Sequence, residues 1–415
     1  MITASTILYI LLALLGVSYV FGQTLDWLNS NHSKKKLPKE AKGIYDDEKY
    51  EKSQQYQRAL NKFSHLSTTI NVLISGLFLY FGGFGWLDSI VEPLVNHEVV
   101  QSLLYFGVLF IASDIISTPF QVYSTFVIEE KYGFNKTTVK LFIVDKLKGY
   151  LLTIILGGVV VGGLLMLIIS IGEGFWIYFW VAISIFILIM NMFYSTLILP
   201  LFNKLTPLEA GELRDAVESY SKKVNFPLTN IFVIDGSKRS NKANAFFSGI
   251  GKKKKVVLYD TLIEQHTTEE LVAIFAHEVG HYKKKHIIQG FVMSILQMGI
   301  TLYIMSLMIF NESLSEALGS NQMRVHLNLI AFMMLYSPIS SVTGLFMNML
   351  SRKNEFEADR FAVETTNPND LQSALKKLST DNLSNLLPHP WYVFIHYSHP
   401  PLLKRLAAMQ AVGEK

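Results

Sequence analysis

The first 25 residues, Met1 to Leu25, hold no charged side chain. As a helix they would rise about 37 Å, enough to cross the ~30 Å hydrocarbon core of a bilayer. Six further apolar runs follow, at about Leu66–Leu87, Val99–Ile128, Leu151–Ile171, Phe175–Leu199, Ile287–Phe310 and Val325–Leu350. The expected fold is mainly α and polytopic, with about seven transmembrane helices by the 20-residue criterion. Composition agrees: 17% of the 415 residues are charged, against about 25% in soluble domains. A cleaved leader is the rival reading of the first run. It lacks a basic segment before the apolar stretch and a small-residue cleavage site after it, which favours a retained helix.

The loops between these runs alternate in charge. Residues 26–65 carry Lys34, Lys35, Lys36 and Lys39, the stretch Asp88–Glu98 has neither Lys nor Arg, and the next loop carries Lys131, Lys136, Lys140, Lys146 and Lys148. Residues 200–285 and the C-terminal tail are basic again. Because Lys and Arg favour the cytoplasmic side, one orientation satisfies every loop. It puts the N-terminus outside and residues 200–285 and 351–415 in the cytoplasm. Four blocks result: 1–199 with five spans, 200–285 as a cytoplasmic catalytic segment, 286–350 with two spans, and 351–415 as a cytoplasmic helical segment. Within the second block, Ile231–Ile234 and Val256–Tyr259 predict short strands. Thr268–Lys284 predicts a helix with Thr268 as its N-cap, and Lys252–Lys255 reads as a solvated hairpin end near an anionic leaflet.

Asp114 lies inside an apolar run, which marks either a functional site or a carboxylate hydrogen-bonded to a neighbouring helix. The net charge of +4 comes from 37 basic and 33 acidic residues set beside apolar segments. That is no footprint of a nucleic-acid partner; lipid is the expected neighbour. With no cysteine in the chain, any metal must rest on His and carboxylate ligands.

One string supplies such ligands. Ala276-His277-Glu278-Val279-Gly280-His281 is an H-E-x-x-H on a predicted helix. Imidazoles four residues apart share a helix face and can hold one ion. Glu278 projects beside the open position, where a carboxylate can serve as general base. A catalytic zinc site takes three protein ligands, and His286 stands at the wrong offset for the extended three-histidine pattern. Asn354-Glu355-Phe356-Glu357-Ala358-Asp359 is the better source. Glu355 and Asp359 share a face while Glu357 points elsewhere. Glu355 is the candidate third ligand, and Asp359 can accept the second N–H of a ligating histidine. On spacing alone, a solvated acidic helix start explains the same string equally well.

These features resemble the type I CAAX prenyl proteases, membrane zinc metallopeptidases with a gluzincin-like catalytic region. The resemblance extends to Tyr123–Asn135, Pro200–Leu208, Gly236–Ser240 with Asn244-Ala245-Phe246, and Ser398–Arg405. It runs from about residue 105 to the end. It implies seven transmembrane helices around a water-filled chamber, with one Zn2+ at the chamber's cytoplasmic end completed by Glu355. Asn244, with Ala245 and Phe246, would bind the substrate backbone beside an edge strand. His399 and Arg405 would lie near the scissile carbonyl and stabilise the oxyanion.

The implied substrate is a peptide or protein with a prenylated C-a-a-X tail, cleaved after the modified cysteine. The chain is shorter than typical eukaryotic members and ends Val412-Gly413-Glu414-Lys415 without an ER-retrieval tail. The resemblance thus implies a prokaryotic plasma-membrane member, or an ER-membrane protein if the source is eukaryotic. One rival reading is a membrane quality-control zinc protease without a prenyl requirement. A transporter with a coincidental metal motif is another.

Overall fold

The computed structural model describes residues 2–33, 41, 43–227, 231–248 and 255–413. The basic run Lys34–Lys36 with Lys39, and Lys252–Lys254, lie outside the described residues. Helix α1 (Ala4–Ser33) packs along α2 (Asp47–Tyr80). Helix α2 stops seven residues before the expected Leu87, because Gly82 adopts a left-handed φ of 67°. The chain there turns off into a short helix, α3 (Gly83–Val91). Next come α4 (Glu98–Tyr123), α5 (Val139–Leu152), α6 (Gly158–Ile171), α7 (Phe175–Phe193) and α8 (Leu199–Phe202).

Among the described residues, six helical stretches are long and apolar enough to cross a membrane. The fourth, Val139–Phe202, has 64 residues, about 96 Å if straight and three times the hydrocarbon thickness. It folds back at Gly172–Gly174, and α6 packs on α7. Its two arms are the fourth and fifth of the spans expected from sequence. In the most apolar window of each stretch only 6–22% of the residues are buried. The spans touch in a closed cycle, α1 to α2, α2 to the end of α4, α4 to α6, α6 to α7, and then through the two later spans of the chain back to α1, so they stand as a ring. Asp114 resolves to the structural reading: it accepts from Lys146 Nζ at 2.7 Å, and from Thr118 and the Tyr150 hydroxyl.

After α8 the chain leaves the ring. Strand β1 (Leu205–Pro207), α9 (Glu212–Lys223), β2 (Ile231–Ile234), β3 (Ala245–Ser248) and β4 (Lys255–Tyr259) follow, then α10 (Asp260–Gln265) and α11 (Thr268–Lys283). The sheet has the order β1-β2-β4-β3, with β2 and β4 parallel and β3 an antiparallel edge paired through Ala245↔Leu258 and Phe246↔Val257. The ring resumes with α12 (His286–Ser306), is capped by α13 (Glu312–Ala317), and closes with α14 (Val325–Thr365). Helix α14 is 41 residues long, about 60 Å, so it runs beyond a bilayer's core. Helices α15 (Pro368–Asp381), α16 (Pro390–His396) and α17 (Leu402–Gly413) complete the chain. Leu258, Leu262, Leu271, Phe275, Val279, Ala362, Leu371 and Met409 join the sheet, α11, the end of α14, α15 and α17 in one apolar core.

The start of α14 is pinned by a buried polar network. Asp88 Oδ1 accepts from His326 Nε2 at 2.9 Å and from Gln101 Nε2 at 3.3 Å, and Oδ2 lies 3.3 Å from Arg324 Nε. His326 Nδ1 in turn meets Ser102 Oγ at 3.0 Å. Serine, histidine and aspartate thus stand in the order of a hydrolase triad, but each is at most 3% exposed. No substrate reaches them, and the network ties α3, α4 and α14 together. Replacing Asp88 with Ala leaves the buried His326 and Gln101 without their acceptor, while Arg324 keeps Glu92, a change worth about 1–3 kcal/mol. The variant is expected to melt well below wild type in detergent, while its folded fraction keeps a wild-type metal content.

Candidate metal centre

Helix α11 carries the first two histidines, and its start is fixed locally. The N-cap is Thr267, one residue before the expected Thr268, and it forms a capping box with Glu270. Glu270 also accepts from Ser373 Oγ at 2.6 Å and Lys377 Nζ at 2.7 Å, which fastens α11 to α15. Burial alone would raise the Glu270 carboxyl, but these hydrogen bonds outweigh it and hold its pKa below the usual range. Against α14 the helices approach closely at Gly280. A Cβ there would lie 3.0 Å from Ala358 Cα and 3.1 Å from its carbonyl oxygen. The glycine inside the H-E-V-G-H string therefore lets α11 come near enough for its histidines to meet Glu355.

They do meet. His277 Nε2 and His281 Nε2 are 3.1 Å apart, and each lies near the Glu355 carboxylate, at 3.4 Å from Oε2 and 3.2 Å from Oε1 respectively. A tetrahedral zinc ion with bonds of about 2.0–2.1 Å spaces its ligands about 3.3 Å apart. The two nitrogens have that spacing from each other and each has it from one of the two carboxylate oxygens, and the donor set suits a borderline cation. Glu355 is 4% exposed and its Oε2 has no hydrogen-bond partner among the described residues. A buried carboxylate whose Oε2 has only long contacts, at 3.4 Å to His277 and 3.5 Å to Arg405, is what a cation would satisfy. These residues therefore fit a metal ion.

Asp359 lies behind His277, with Oδ1 2.9 Å from Nδ1. This orients the ring so that Nε2 faces His281 and Glu355. Arg405, 8% exposed, clamps Asp359 with Nε to Oδ2 at 2.8 Å and Nη2 to Oδ1 at 2.6 Å, and its Nη1 is 3.5 Å from Glu355 Oε2. Burial would raise both carboxyls. For Glu355, hydrogen bonds from His277 and His281 and the Arg405 charge outweigh it, and for Asp359 the Arg405 guanidinium does, so both sit below the usual range. Burial opposes protonation of His277, yet Asp359 and Glu355 hold its pKa up at about 9. The site attracts positive charge.

A cavity of about 700 Å³ opens on this cluster. His277, Glu278, His281, Glu355 and His399 line it, with Asn244, Ala245 and Phe246 of the sheet edge and apolar Ile287, Met347 and Leu350. Glu278 has no recorded hydrogen bond among the described residues, and burial pushes its carboxyl up despite the two histidines. His399 Nε2 lies 3.3 Å from Glu355 Oε1, its side chain 64% exposed. Asn244 is exposed at the start of β3, its Oδ1 turned to the Ala245 amide at 2.9 Å. Arg405 is brought to the cluster but is not among the lining residues, its guanidinium being spent on Asp359 and Glu355. Two residues passed over in the sequence belong here. His286 lies 3.1 Å from His281, Nδ1 to Nδ1, and its Nε2 is 3.1 Å from Glu357 Oε2. Their sequence signal was weak, because His286 is five residues past His281, off its face on a continuous helix.

Comparison with known proteins places this geometry. Residues 27–204 match the family model of the CAAX prenyl protease N-terminal region with five membrane helices, and residues 207–412 match peptidase family M48. The chain is 38% identical over 387 residues to a CAAX prenyl protease 1 homolog of Oryza sativa subsp. japonica, covering 91% of each. It is 34% identical to CAAX prenyl protease 1 of Saccharomyces cerevisiae, over 92% of this chain and 90% of that protein. The crystal structure of S. mikatae Ste24p superposes with a TM-score of 0.93 at 33% identity, covering 97% of this chain and 99% of that one.

Proposed function

The chain belongs to peptidase family M48, among the CAAX prenyl proteases, and from that membership we propose a zinc endopeptidase that removes the last three residues of prenylated C-a-a-X peptides. The observation that carries the zinc assignment is the 3.1–3.4 Å spacing of His277 Nε2, His281 Nε2 and the Glu355 carboxylate. The bound ion would supply Lewis acidity, making water a nucleophile near neutral pH and polarising the scissile carbonyl.

The remaining roles fall to this chain's own groups. Glu278, free in the cavity with a raised pKa, takes the proton of the attacking water and delivers it to the leaving amine. The peptide adds to the β3 edge as an extra strand, guided by Asn244, Ala245 and Phe246. That orients its carbonyl toward His399, whose exposed Nε2 donates to the developing oxyanion. Arg405, buried on Asp359, acts as a positioning residue: it fixes the carboxylate that fixes His277. The apolar wall of Ile287, Met347 and Leu350 offers a place for the prenyl chain. The site faces the cytoplasm, a reading that rests on the charge alternation of the loops.

Cleavage of a farnesylated C-a-a-X peptide and its unprenylated twin, with and without a chelator, tests this reading. Chelator-sensitive cleavage after the modified cysteine is expected, with the farnesylated peptide strongly preferred. Equal cleavage of both would remove the prenyl requirement and leave the zinc chemistry alone.

A further inference from the structure

The two imidazoles at the centre are backed differently. His277 has Asp359 directly behind its Nδ1. Among the described residues no carboxylate stands at that place for His281; its Nδ1 meets His286 Nδ1 at 3.1 Å, and His286 Nε2 meets Glu357 Oε2 at 3.1 Å. Proton bookkeeping along this chain has one solution when His281 Nε2 is a metal ligand. The neutral ring carries its hydrogen on Nδ1 and donates it to the Nδ1 lone pair of His286. His286 must then hold its own hydrogen on Nε2, which donates to the acceptor-only carboxylate of Glu357.

We infer that His286 and Glu357 form a relay that positions His281 for the metal, as Asp359 does for His277. The inference rests on the zinc reading above. His286 is 8% exposed, so its hydrogen bonds face little competition from water. The turn that brings it there is strained: Lys285, a non-glycine residue, has a left-handed φ of 61°. That turn breaks the helical line between α11 and α12, and returns a histidine five residues on to the ring it must support. Glu355, Glu357 and Asp359 then come from one stretch of α14, with the first on the metal side and each of the others behind one histidine.

Outer partners of a metal-bound histidine are typically worth about 10–100-fold in affinity. Zinc titration of the stripped, full-length protein against a chromophoric chelator should therefore show His286→Ala and Glu357→Ala weakening zinc by about 10–100-fold. The melting temperature of the metal-free protein should not change. His286→Asn, whose Oδ1 can replace the Nδ1 acceptor, should recover part of the loss. Glu357 is 40% exposed on its side chain, so its substitution tests the relay even where His286→Ala folds poorly. Wild-type affinity in Glu357→Ala and His286→Ala would overturn the relay. So would a loss mirrored by a lower melting temperature of the metal-free protein. If wild type itself bound no zinc, with no difference from His277→Ala, the zinc reading would fall and the relay with it.

Discussion

Glu278→Gln is expected to lower kcat by about 10³-fold, within the range that a general acid–base group contributes, while zinc content stays at the wild-type level. The substitution keeps volume and shape and removes the ability to accept a proton. No hydrogen bond in the described structure depends on the carboxylate, so nothing else is lost. Burial pushes its pKa above the usual carboxylate range, the direction that makes a carboxylate a better base near neutral pH. The outcome separates classes of protein as well as mechanisms. A transporter with an incidental metal site would be unaffected, and a peptidase using another base would keep turnover. The measurement is kcat on the farnesylated peptide beside metal analysis of the same preparation. Retained cleavage with a full zinc complement would sink the assignment of Glu278.

Much of this arrangement was legible before any coordinates, for physical reasons that can be named. Spans are announced by length and apolarity because the bilayer imposes both. His277 and His281, and Glu355 and Asp359, are visible as pairs because a four-residue step returns to the same helix face. The misses share a different cause. The end of α2 at Tyr80 depends on Gly82 taking a left-handed conformation, and a glycine in an apolar run does not declare which φ it adopts. Strand β3 was not predicted because Ala245–Ser248 has no alternating pattern; its pairing with β4 makes it a strand. That the Arg405 guanidinium closes on Asp359 is a contact between α17 and α14 that local sequence does not encode. His286 is off the extended three-histidine pattern, which speaks only to direct ligands; the turn at Lys285 brings it behind His281 instead.

Removing the third ligand is the harsher change to the site, and Glu355→Ala is expected to weaken zinc at least about 10²-fold. Even an outer partner of a ligand is worth 10–100-fold, and the Glu355 carboxylate contacts both imidazoles itself. The loss has an electrostatic side as well. With Glu355 gone, the Arg405 guanidinium, 3.5 Å from it, faces the metal position with one carboxylate fewer to offset its charge. The fold should survive, because Arg405 keeps both hydrogen bonds to Asp359 and Gly280 still packs on Ala358. Asp359→Ala is the instructive contrast: it removes both short hydrogen bonds of the buried Arg405 guanidinium and leaves it Glu355 at 3.5 Å, and should cost stability before it costs metal. Zinc titration and thermal melting of the two metal-free variants distinguish them. Weak zinc binding with an unchanged melting temperature in Glu355→Ala marks a ligand. Wild-type zinc affinity in that variant would mean that the carboxylate merely neutralises the histidines, and that the ion, where one binds, is held without it.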